Sequence, residues 1–110
     1  MSADEITAVV GVPPTMVRVK GERGRGNAPA ATKHLWSLST MDHVTSLRVS
    51  DHLQWLEELL EGRTLPTEDV TWDVFVFWMT DNGQGGPDLT PEASTFLAER
   101  RLPISFDIHY

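Results

Sequence analysis

VTWDVFVFWMT, residues 70–80, is the stretch on which the fold turns. With a period of two, Val70, Trp72, Val74, Val76 and Trp78 share one face while Phe75, Phe77 and Met79 share the other. Apolar groups on both sides predict a strand covered on both faces. A second alternating run, ISFDIHY at 104–110, sets Ile104, Phe106, Ile108 and Tyr110 against Ser105, Asp107 and His109. That is the pattern of a strand with one wet face. Trp72 is expected as a large core aromatic.

Outward from these runs the chain alternates helix and strand signals. Ser2 and Glu5 have the spacing of a capping box, Ile6, Val9 and Val10 form a short apolar stripe, and Gly11 is placed to stop the helix. Pro13 and Pro14 then forbid helix, and Met16 to Lys20 alternates as a short strand. GERGRGNAPAAT, 21–32, offers almost nothing to bury, so a mobile Gly/Arg-rich loop is expected at about 21–33. HLWSLST, 34–40, reads as another strand. Ser50 is positioned to cap a helix whose stripe is Leu53, Leu56, Leu59 and Leu60 and whose end is Gly62. Thr90 and Pro91 open a third helix through Phe96 and Leu97, with Arg100 and Arg101 near its negative end. The expected architecture is a single compact α+β domain over residues 1–110: a mainly antiparallel sheet of about four strands with two to three helices packed on it.

Composition narrows the function classes. The chain of 110 residues is long enough for one core. It has no cysteine, which excludes disulfides, thiolate zinc sites and cysteine nucleophiles and suits a reducing cytoplasm. No apolar run approaches the roughly 20 residues of a bilayer span, and no secretion signal opens the chain, so no membrane role and a cytoplasmic location are expected. The net charge is −7, and its distribution is uneven. Residues 1–41 carry three acids and five bases, whereas residues 42–110 carry 13 acids and four bases. An acidic body makes nucleic acid an unlikely partner and points to a basic protein instead.

Catalytic signals are sparse. His34, His43, His52 and His109 have no histidine at the i+4 or i+2 spacing a metal pair needs, so no metal site and no cofactor are expected. Asp107 and His109 share a strand face and can act as an orienting carboxylate and a base, but no nucleophile or oxyanion loop accompanies them. NGQGG at 82–86 lacks the Lys and Ser/Thr of a phosphate loop and the three-glycine dinucleotide fingerprint. Trp55, Glu57, Glu58 and Glu61 on the second helix form the candidate binding surface, an aromatic beside an acidic face.

EITAVVGVPPTMVRVKGE at 5–22, LWSLST at 35–40, DHLQWLEELLE at 51–61 and LTPEASTFLAERRLPISFDIHY at 89–110 resemble, in that order, the small bacterial proteins grouped as domain of unknown function 4279. The resemblance supports one compact α+β domain and implies no reaction or catalytic residue. It also implies a strand before the first helix, where Ser2 here already stands as that helix's cap. A sheet edge left open in this way invites strand addition by a partner or a homodimer.

Two functional expectations follow. The first is a non-catalytic, small acidic protein-binding module, inhibitor or immunity-like, with a phage-derived interaction protein as a variant differing in its partner. The second is a small-ligand-binding or enzymatic domain using the polar face of the last strand, Asp107 and His109, with residues 83–86 as a lid.

Overall fold

The computed structural model describes residues 1–24, 26, 28–79 and 87–109. Along the chain the elements are α1 (Ala3–Val10), β1 (Met16–Arg18), β2 (Leu35–Ser37), a 3-10 turn (Thr40–Asp42), α2 (Val49–Leu60), β3 (Val74–Met79), α3 (Pro91–Glu99) and β4 (Ile104–His109). The order of helices and strands read from the sequence is the observed one. Positions 80 and 110, expected as strand ends, and the NGQGG segment with its proposed lid lie outside the described residues.

The fold is α+β, but the strands do not make one mainly antiparallel sheet. β1 and β2 pair antiparallel, Val17 opposite Trp36, while β3 and β4 form a separate parallel pair, Val74 opposite Ile104 through Met79 opposite His109. The parallel sense follows from α3. A strand that exits at one end and returns through a helix re-enters at the end where it began, so its neighbour runs alongside rather than back. β3 begins at Val74, leaving Val70 and Trp72 in the preceding segment, outside the strand.

The core is mostly helical. Val10 of α1, Val49, Leu53 and Leu60 of α2, Ala93, Phe96 and Leu97 of α3 and Leu102 after it are buried. Half-buried Trp36, Val74, Val76, Trp78 and Ile104 pack on this cluster from the strands, and Leu38 from just past β2. Trp72 is half-buried rather than central, its indole N–H donating to Pro66 O at 2.6 Å. Trp36 donates to the Thr7 hydroxyl at 3.1 Å, and Thr7 in turn donates to Ala3 O, so β2 is pinned to α1.

Each helix end is closed by a nameable group. The capping box of α1 forms as read: Glu5 N–H donates to the Ser2 hydroxyl at 3.2 Å and Ser2 N–H to the Glu5 carboxylate at 3.3 Å. The Ser2 backbone N–H foremost, then its hydroxyl, hold the Glu5 carboxyl below its usual range. Gly11 stops α1 at φ 94, a conformation favouring glycine, and its N–H reaches Thr7 O at 2.8 Å. Thr90 caps α3, its hydroxyl accepting from Ala93 N–H, and Pro91 opens that helix, both as the sequence indicates.

α2 departs from its sequence reading at the amino end. Its cap residue is Arg48, which makes no side-chain cap bond, and Ser50 lies inside the helix. The Asp88 carboxylate takes over, accepting from Ser50 N–H at 3.4 Å and lying 3.6 Å from the Arg48 guanidinium. Hydrogen bonding from the Ser50 side chain foremost, with the Ser50 backbone N–H and Arg48 as smaller contributors, holds the Asp88 carboxyl below its usual range.

Arginines tie the carboxyl ends together. Arg63 donates to Leu59 O and Val9 O, each at 3.2 Å, joining α2 to α1. Arg100, expected to cap the dipole of its own helix, instead donates to Arg63 O and, at 2.6 Å, to Leu60 O. A guanidinium with five donors satisfies carbonyls that α2 leaves open at its end.

Candidate protein-binding surface

The parallel pair presents two faces. Val74, Val76, Trp78 and Ile104 pack on the helical core, whereas Phe106 and Ile108, which share their parity and were expected under cover, are 39% and 47% exposed. The other face carries Phe75, Phe77 and Met79 beside Ser105, Asp107 and His109. The sequence reading put both faces of β3 under cover, but Phe75 is 63%, Phe77 57% and Met79 60% exposed. Three large apolar side chains in a row on a strand thus meet solvent. Parallel pairs are ordinarily covered on both sides, which makes this open face the main anomaly of the molecule.

Polar groups rim that row. His109 Nε2 lies 3.0 Å from the Asp107 carboxylate, and the imidazole rests against the Phe77 ring with centroids 5.0 Å apart. The two residues paired in the sequence analysis therefore do meet. Their contact is on an open sheet surface, with both side chains about half exposed. Asp73 precedes β3 with the same parity, and residues 70–79 and 103–109 contain no Lys or Arg. The face is apolar with an acidic margin.

The second-helix residues sit elsewhere. Trp55 is half-buried and stacks on His43, ring centroids 4.5 Å apart and planes within 15°. Glu57, Glu58 and Glu61 are exposed, Glu58 accepting from the Gln54 side chain and Glu61 standing just past the helix end. Glu57 also lines a shallow groove of about 460 Å³ between α2 and the start of α3, with Asp51 and Glu92. A wider cleft of about 530 Å³ lies between residues 64–72 and the α3–β4 turn. Of its two arginines, Arg100 is already committed to backbone carbonyls.

The histidines are engaged singly. His52 bonds Thr40 and Ser46 O, each at 2.6 Å, and His34 accepts from Lys20 N–H at 3.0 Å. Among the described residues no group of three or more His, Cys, Asp or Glu side chains converges on a common point that would hold a metal ion. Nor is any helix there long and apolar enough to cross a membrane.

Comparison with known proteins adds one result to this geometry. The family described as Domain of unknown function (DUF4279) matches residues 1–110, the whole chain. The chain belongs to the DUF4279 family. Searches of curated proteins and of solved structures give no match. Membership of DUF4279 agrees with the α+β architecture and assigns no activity.

What the sequence reading missed is the row Phe75, Phe77 and Met79. Its signal was present in the alternation. Apolar residues on both sides of a strand mark either a doubly covered strand or one whose second cover is supplied from outside.

Proposed function

We propose that this DUF4279 protein is a small acidic, non-catalytic protein-binding module, inhibitor or immunity-like, that recognises a basic partner. The observation carrying the proposal is the open row Phe75, Phe77 and Met79 with its acidic margin. Aromatic side chains supply much of the energy at protein interfaces, and a partner segment with apolar residues flanked by Lys or Arg complements this face. Glu57 and Glu58 extend the same negative character over α2 and would steer such a partner on approach. A phage-derived interaction protein would use the same surface on a different partner.

Capture from the source cell with the wild-type chain and a Phe75→Ser/Phe77→Ser variant tests the reading. A basic protein retained by the wild type and lost by the folded variant is the expected outcome, and Glu57→Lys/Glu58→Lys should slow its association. An identical captured set for the wild type and the Phe variant rejects the aromatic face as the contact.

The 3.0 Å approach of His109 to Asp107 supports a second reading, small-ligand binding or catalysis on the same face. A thermal-shift screen separates the two, because a ligand at 100 times its dissociation constant stabilises by roughly 2.7 kcal/mol. A metabolite shift abolished by His109→Ala would favour this reading.

A further inference from the structure

Among the described residues β4 has β3 as its one neighbour, and none of them pairs with its other edge. The register fixes which groups lie on that edge. Val74, opposite Ile104, donates its N–H to Pro103 O at 2.9 Å. In a parallel ladder of this phase Ser105, Asp107 and His109 direct their backbone groups to β3, and Ile104, Phe106 and Ile108 direct theirs outward. The side chains along the same edge are also undercovered. Ile104 packs on the core, but Phe106 and Ile108, further along the helix-facing side, are 39% and 47% exposed.

We infer that β4 pairs antiparallel with β4 of a second copy of this chain, about a twofold axis through Phe106. The inference uses the β4 edge and leaves the Phe75–Met79 row on the far strand, sharing with the surface proposed above Asp107 of its acidic margin. The strand is self-complementary in this register. Phe106 faces the partner subunit's Phe106, Ile104 faces the partner subunit's Ile108, and the Ser105 hydroxyl faces the partner subunit's Asp107 as a hydrogen-bond donor. Apolar residues meet apolar ones throughout, and each carboxylate meets a donor. Sliding by one residue, to an axis through Asp107, would set two carboxylates directly opposite one another, a destabilising pair. The outward groups of Ile104, Phe106 and Ile108 would close about six backbone hydrogen bonds across the axis, turning two edges into a four-stranded sheet.

A chain exposing 8203 Å² has room for such a contact. A standard interface takes only about 800 Å² from each partner. The charge of −7 on each copy opposes association at low ionic strength, so the dimer should tighten with added salt.

The absence of cysteine makes a direct test available. On the axis, the two Cα atoms of residue 106 would be about 5.5 Å apart, inside the disulfide range of about 4.4–6.8 Å, whereas those of residue 105 would be roughly 8 Å apart and outside it. Under a mild added oxidant, Phe106→Cys should give a covalent dimer and Ser105→Cys should not. In sedimentation at 150 mM salt, Ser105→Lys, which opposes a cation to the partner subunit's Asp107, should lower the dimer dissociation constant several-fold. Ser105→Asp should raise it about tenfold, and Phe77→Ser should leave it unchanged. A chain that stays monomeric up to about 100 μM overturns the inference. So does a dimer indifferent to both Ser105 changes, or equal crosslinking of the two cysteine variants.

Discussion

Replacing Gly11 by alanine probes the junction where α1 meets α2. Two separable penalties follow from the geometry. Gly11 holds φ at 94, and an alanine there costs about 1 kcal/mol in backbone strain. An added Cβ would also lie 2.6 Å from Nη2 and 2.7 Å from Cζ of Arg63. The guanidinium must move, releasing Val9 O, whose bond it now makes at 3.2 Å. Loss of one charge-assisted, exposed hydrogen bond adds about 1 kcal/mol. The total of about 2 kcal/mol corresponds to a fall in Tm of about 8–12 °C for a domain of this size. Urea unfolding followed by circular dichroism reads it, with Gly62→Ala as the reference. Gly62 has φ 73 and nothing within 4 Å of its would-be Cβ, so alanine there incurs the strain alone. In an Arg63→Ala background the cost of Gly11→Ala should shrink to that of Gly62→Ala. Equal costs at positions 11 and 62 in the wild type, or an undiminished cost without Arg63, would refute the argument.

Two further stability tests address the core and the α2 terminus. Trp72→Ala should cost about 2 kcal/mol, roughly half the penalty of a fully buried tryptophan, because the ring is half-buried and loses its bond to Pro66 O. A loss under about 0.5 kcal/mol by urea titration would mean the ring does not pack. Asp88→Asn should destabilise by about 0.5–1 kcal/mol at pH 7, because it removes the negative charge that lies at the amino end of α2 and beside Arg48. Because the folded Asp88 carboxyl titrates below its unfolded value, its contribution is complete above the unfolded pKa and disappears as pH falls through the folded one. The wild type and the Asn variant should therefore converge in stability in strong acid. A gap between them that widens on acidification contradicts this assignment.

Local signals in the sequence translated directly into structure. The Ser2–Glu5 box, Gly11, and Thr90 with Pro91 each act within four residues of where they stand, so spacing alone reveals them. The start of α2 was not legible in the same way. Its cap comes from Asp88, thirty-eight residues after Ser50, and no local pattern encodes such a partner. Arg100 misled for a related reason, its guanidinium serving the end of α2 rather than of α3. The strands were read in the right order but too long, β3 beginning at Val74 rather than Val70, and their pairing sense depends on connectivity. The helix between β3 and β4 carried that information and alternation did not. The candidate site was half legible: Asp107 and His109 do meet, while Phe75, Phe77 and Met79 looked like core because hydrophobicity records what a face prefers and not what covers it.

The reach of Asp88 back to Ser50 gives the short segment 88–90 a double duty, since Thr90 within it begins α3 while Asp88 completes α2. A single proteolytic nick at Leu89 would cut neither helix yet fray the first turn of both. Amide exchange at Ser50 and at Ala93 should accordingly speed up together, as two doors hung on one post.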